Sequence, residues 1–187
     1  MPHHQIIGTT LLVLTVLLIL GIIRLRRRHR KNSGRDNPIL QRACEHLQAV
    51  HGAAFQAKPL ANRLEKTAYQ TVLTILQKRR RNEHVLLQVS LGEILKSKDR
   101  RAYWAVNSKR VDLLVINGDL RPLVVIEIDG SGHGLSRDIS RINDKIKDIA
   151  LAAAGIPLIR IPAPDDNLGK IRALVHKQLI ACLKRVA

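Results

Sequence analysis

The chain has 187 residues, a formal net charge of +17 at pH 7 and two cysteines, Cys44 and Cys182. That charge favours polyanionic partners, nucleic acid or the anionic face of a membrane. Its four aromatic residues (Phe55, Tyr69, Tyr103, Trp104) argue against a single-strand binder built on rows of stacked rings, and the cysteines form neither a metal-ligand spacing nor a disulfide framework, which suits a reducing compartment.

No Lys, Arg, Asp or Glu occurs from Met1 to Ile23, and Ile6 to Ile23 is almost wholly apolar. As a helix that apolar run spans about 27 Å, close to the roughly 30 Å of a bilayer's hydrocarbon core. Residues 1–23 are therefore predicted to be a transmembrane anchor. Arg24 to Lys31 (RLRRRHRK) holds six Lys/Arg in eight positions. Such a run stays on the cytoplasmic side and meets anionic lipid headgroups. A cleaved signal peptide carries its positive charge before the apolar core and ends at small residues; here the order is reversed. The expectation is a single-pass protein of the inner (plasma) membrane with its bulk in the cytoplasm. Without those six charges the remainder still carries +11, so it is basic in its own right.

Residues 24–58 read as the basic juxtamembrane run and a linker, with turn-rich Asn32 to Pro38 and a short helix over Ile39 to Val50 that carries no evident chemistry. A single domain is expected over 59–187. Pro59 suits a first helical position. Leu60, Leu64, Ala68, Val72, Ile75 and Leu76 recur at helical spacing, predicting an amphipathic helix to about Lys78. His84 to Ser90 is strand-like, Leu91 to Leu95 a helical turn, and Ser97 to Ser108 a polar, cationic loop. Arg110 to Ile116 and Arg121 to Asp129 are Val/Ile/Leu-rich runs flanking Asn117-Gly118, a hairpin signal. Both are apolar on both faces, as for central strands covered by helices on each side. A helix over Asp138 to Ala154 ends at Gly155. Ile156 to Ile161 is a further strand, and Asp165 or Asp166 caps a last helix through Leu183. The predicted order is α-β-β-β-α-β-α.

Three carboxylates interrupt these apolar strands: Asp112, Glu127 and Asp129. Glu127 and Asp129 are two apart and share a sheet face. A two-residue turn at Asn117-Gly118 puts Asp112 on that face too, whereas a loop of odd length turns it away. Like charges about 4 Å apart cost around 4 kcal/mol at an effective dielectric near 20, so something cationic must offset them. Hard oxygen ligands suit Mg²⁺ or Mn²⁺; pairing of each acid with an Arg or Lys is the equally open alternative.

Leu64 to Pro162 resembles the domain-of-unknown-function family 2726. It is similar to the short-patch-repair endonucleases of the PD-(D/E)XK restriction-endonuclease-like superfamily. The matching pieces are LEKTAYQTVL (64–73), LLQVSLGEIL (86–95), KRVDLLVI (109–116), LVVIEIDGSGH (123–133) and DKIKDIALAAAGIPLIRIPA (144–163). The resemblance implies an α/β fold: a restriction-endonuclease-like α-β-β-β-α-β core with a mixed sheet. It implies metal binding by Asp112 and Glu127, and places Glu65 at the acid of the first core helix. Asp129 stands where the superfamily has a Lys two residues after the Glu, and joins the metal ligands or orients water. His133 or Lys145 then supplies the missing cationic group, and Gln88 matches a polar strand residue. The GxGxxG-like look of Gly130 to Gly134 is too short and badly placed for a nucleotide loop.

Together these features predict a membrane-anchored, Mg²⁺- or Mn²⁺-dependent nuclease-like domain hydrolysing DNA phosphodiesters. The rival is a catalytically silent nucleic-acid tether, favoured by the missing lysine. A third reading is a module for anionic lipid or protein.

Overall fold

The computed structural model describes residues 17–26, 37–130, 137–163, 165 and 167–185. It divides into two compact units, Met1–Ala57 and Lys58–Ala187. In the first unit residues 17–26 are helical. Residues 1–16 of the expected anchor, 27–31 of the basic run and 32–36 of the linker lie outside the described residues. Among the described residues, no helix is long and apolar enough to cross a membrane. Helix α1 (Pro38–His51) follows, with Pro38 in its first turn and the Asn37 side chain accepting from the Ile39 N–H at 3.0 Å.

The second unit begins with α2 (Arg63–Arg79), which starts four residues after Pro59 rather than at it. The reason is a capping box. Asn62 Oδ1 accepts from the N–H groups of Leu64 and Glu65 at 2.8 and 2.9 Å, and Glu65 Oε2 accepts from the Asn62 N–H at 3.0 Å. Two orphan ends are satisfied reciprocally, which a proline at the first position cannot match. Strand β1 (His84–Ser90), the short α3 (Leu91–Ile94), α4 (Arg100–Val106) and β2 (Arg110–Ile116) come next. The stretch expected to be a loop contains α4. Asp99 accepts from the Arg101 and Ala102 N–H groups, and Val106 is buried, so one cap and one apolar anchor suffice where the cations suggested solvent.

Strands β2 and β3 (Pro122–Gly130) form the hairpin, but its loop is not the two-residue turn that Asn117-Gly118 signals. Ile116 pairs with Pro122, leaving a five-residue loop. Asn117 Oδ1 accepts from the N–H groups of Asp119 and Arg121, and Leu120 takes the left-handed conformation at φ 60°. The asparagine side chain thus organises a wider turn. An odd loop alone turns Asp112 away from Glu127. A register shift between Val115 and Ile116 restores the parity: Val115 pairs with Val124 and Leu113 with Ile126, so Leu123 is the extra, bulged residue.

Helix α5 (Arg137–Ala153), Gly155 at φ 69°, β4 (Leu158–Ala163) and α6 (Leu168–Leu183) complete the unit. Asn167, rather than Asp165 or Asp166, caps α6, through the Lys170 N–H at 3.0 Å. The result is an α/β fold with a four-stranded mixed sheet in the order β1-β2-β3-β4. The first three strands are antiparallel, and β4 is parallel to β3 across the α5 crossover. Residues Ala68, Val72 and Leu76 of α2 and Ile171, Val175 and Leu179 of α6 pack on Leu113, Val115, Val124, Ile126 and Ile161. On the opposite face Leu151 of α5, with Leu91 and Val106, covers Leu114, Ile116 and Val125. Both faces are buried by alternating side chains.

Candidate functional site

The β2–β3 ladder ends at Leu113–Ile126, while β3 continues with β4 as far as Gly130–Ala163 and β2 continues with β1 as far as Arg110–Ser90. Extending the register by one residue sets Asp112 opposite Glu127. There the Asp112 side chain takes over the ladder: its Oδ2 accepts from the Ile128 N–H at 2.8 Å. Burial raises the pKa of Asp112, against the lowering effect of that hydrogen bond and of Lys147.

Glu127 is 6% exposed. Its Oε2 accepts from Lys147 Nζ at 2.7 Å, while its Oε1 has no hydrogen-bond partner among the described residues. Desolvation pushes its pKa up to about 7; Lys147 opposes the rise and the Asp112 charge adds to it. A buried carboxylate oxygen without a partner costs about 1–3 kcal/mol, and this one lies in the sheet beside a second carboxylate.

Asp129 is turned to another partner. Arg160 of β4 sits in register with Glu127 and reaches Asp129 at 3.0 Å, Asp148 at 2.8 Å and Asp144 at 3.5 Å. Its guanidinium is held more firmly protonated by these carboxylates, despite partial burial. Five acids (Asp112, Glu127, Asp129, Asp144, Asp148) thus gather around two cations, Lys147 and Arg160. This is an acidic spot in a strongly basic chain.

Among the described residues no three His, Cys, Asp or Glu side chains converge as a ready-made metal cage. What the residues offer is two carboxylates, one with a bare buried oxygen, and that matches a hard divalent ion which takes one or two carboxylates and keeps several waters.

The structure brings Asp112 and Glu127 together, and assigns Asp129 to Arg160. Lys145 is exposed on α5; the α5 lysine that reaches Glu127 is Lys147. Glu65 closes the α2 capping box, and α2 packs on the sheet face opposite Leu151 of α5. His133 lies outside the described residues. Two residues were not singled out from sequence, Lys147 and Arg160, yet each left a signal. Asp144, Lys147, Asp148 and Leu151 fall at i, i+3, i+4 and i+7, one helical face anchored by the buried Leu151. Arg160 is a lone charge inside an apolar strand, which demands a partner.

Fold and site together define an α/β protein whose mixed sheet carries facing carboxylates, one of them met by a helix-borne lysine. The family described as "Protein of unknown function (DUF2726)" matches residues 57–178, and the chain belongs to it. It is 37% identical over 125 residues to the uncharacterized protein y4bI of Sinorhizobium fredii, covering 67% of this chain and 89% of that protein. It is 31% identical over 170 residues to an uncharacterized protein of Haemophilus influenzae, covering 86% of this chain and 87% of that one. No solved structure matches significantly.

Proposed function

We propose that the Lys58–Ala187 unit is a metal-dependent nuclease-like domain that hydrolyses DNA phosphodiesters, related to the PD-(D/E)XK superfamily, and that the N-terminal apolar segment holds it at the cytoplasmic face of the inner membrane. The observation that carries this reading is the buried Oε1 of Glu127, unpartnered among the described residues, beside Asp112. These two acids would hold Mg²⁺ or Mn²⁺, which supplies an activated water and neutralises charge on the scissile phosphate. Lys147 fixes the Glu127 carboxylate through Oε2, leaving Oε1 free to coordinate. Its ammonium stands in for the lysine that the superfamily places two residues after the Glu, where this chain has Asp129. Arg160 keeps Asp129 neutralised. The test is metal-dependent nicking of supercoiled plasmid by the purified chain.

A second reading, a catalytically silent nucleic-acid tether, draws on one observation: Lys147 already neutralises Glu127 without any metal. Both readings need DNA binding through surface cations such as Lys78, Arg80, Arg81, Arg100 and Arg101; Arg79 is paired with Glu83. Duplex affinity should therefore fall with salt at a slope of about −0.9 per phosphate contacted. Replacing Arg100 and Arg101 by Gln should flatten that slope by up to about two units, read by fluorescence anisotropy from low to moderate salt. Affinity indifferent to salt would remove DNA as the partner.

The membrane placement is tested separately. A fluorescent protein fused after Ala187 should fluoresce, and a periplasm-dependent phosphatase at the same point should stay inactive. Strong phosphatase activity reverses the orientation.

A further inference from the structure

We infer that Gln88 is a positioning residue that holds the Asp112 carboxylate in place, an inference that rests on the metal-site reading above. Among the described residues three non-glycine positions have positive φ: Arg80, Gln88 and Leu120. Arg80 ends α2 and Leu120 lies in the hairpin loop, places where the chain reverses and a left-handed residue is ordinary. Gln88, at φ 54°, sits inside β1. An L residue adopts that conformation in a strand only at a cost, and such outliers persist where the surroundings hold them and gather at functional sites. A glycine there would be free of the strain.

The location of the strain is specific. Leu87 pairs with Leu113 and Val89 with Val111, so Gln88 lies across from Asp112. The packing of both strands changes sides at this pair. Leu87 and Leu113 belong with the α2–α6 face, whereas Val89 and Val111 pack with the α5 face. The two strands thus turn about the Gln88–Asp112 step. The Gln88 side chain lies near enough to the Asp112 carboxylate to favour its charged form, beside the bond that Oδ2 accepts from the Ile128 N–H. Asp112 is thus held from β3 and faced by the Gln88 amide from β1, and an amide that orients a ligating carboxylate commonly governs metal affinity about tenfold or more.

Two substitutions separate the amide from the strain. Gln88→Met keeps the length and the left-handed backbone but removes the donor. Gln88→Gly removes both. With the full 187-residue chain in detergent micelles, Mn²⁺ binding is read from the free-ion paramagnetic resonance signal, and unfolding from thermal melts without metal. Both variants should lose about tenfold in Mn²⁺ affinity, with Gln88→Gly melting about 2–4 °C above Gln88→Met as the strain is released. Wild-type Mn²⁺ affinity in both variants overturns the inference.

A second arm does not depend on metal. Gln88→Met should lower the melting temperature less in an Asp112→Ala background than in wild type, because the partner is already gone. Additive shifts overturn the positioning role. If the wild-type chain binds no Mn²⁺, the nuclease reading falls, and this cycle alone decides whether Gln88 holds Asp112.

Discussion

Glu127→Gln should abolish Mg²⁺- or Mn²⁺-dependent nicking, a loss of about a thousandfold or more, while leaving duplex DNA affinity unchanged. The substitution conserves shape in a position that is 6% exposed, so packing is preserved. The amide oxygen can keep the bond to Lys147 Nζ that Oε2 makes at 2.7 Å. The amide nitrogen then falls where Oε1 has no partner among the described residues, and presents hydrogens to a cation instead of a lone pair. Losing the ion's charge at the scissile phosphate removes several kcal/mol of transition-state stabilisation, and each 1.36 kcal/mol is tenfold in rate. Wild type and variant must come from identical preparations, since equal nicking by both reports a contaminant. Absence of nicking by wild type on duplex, branched and single-stranded substrates, with binding intact, leaves the silent tether.

Lys147→Met should destabilise the metal-free chain by about 3–5 kcal/mol at pH 8, the cost of stranding one member of a buried ion pair, and by much less at pH 5. The pH dependence follows from Glu127. Its pKa is raised from 4.5 to about 7 in the folded chain, so the folded state binds the proton more tightly than the unfolded state. The stability this contributes is fully present below about pH 4.5 and is lost as pH rises through 7. For wild type that difference amounts to about 3 kcal/mol between the two limits; Asp112, raised in the same direction, adds to it. Removing the ammonium takes away the largest influence that holds the Glu127 pKa down, so the slope steepens. Denaturant melts in chelator at pH 5, 6, 7 and 8 read it directly, and Glu127→Gln should flatten the profile. An equal penalty for Lys147→Met at pH 5 and pH 8 would reduce Lys147 to a packing role.

How the sequence announces this site is instructive at particular residues. The β2 and β3 strands were legible because Val, Leu and Ile fill positions on both faces, leaving Asp112, Glu127 and Asp129 as anomalies. In the sequence, a two-residue turn at Asn117-Gly118 sets Asp112 facing Glu127, but the turn is a five-residue loop. The conclusion stands because the five-residue loop and the shift at Val115–Ile116 cancel in parity. No local pattern reports a bulge, since Leu123 looks like any other strand residue. Asp129 shares a face with Glu127 but pairs with a different cation, because Arg160 arrives from a strand thirty-one positions on. Lys147, which pairs with Glu127, stands two residues from Lys145, and its signal is the helical face that ends at the buried Leu151. The cations of α4 hide its helix, and the spacing N-x-x-E shows the capping role that Glu65 takes with Asn62.

The cancelling pair in the hairpin also constrains how this chain can vary. Surface loops ordinarily gain and lose single residues at little consequence. Here a one-residue deletion within 117–121 keeps Asp112 and Glu127 on one side only if the bulge at Leu123 vanishes with it. The loop's length and the strand's irregularity are therefore inherited as a unit, and a relative with a four-residue connection must carry a regular ladder beneath it. In this hairpin an insertion is a frame-shift of geometry, read out 15 residues apart in sequence by whether two carboxylates still meet.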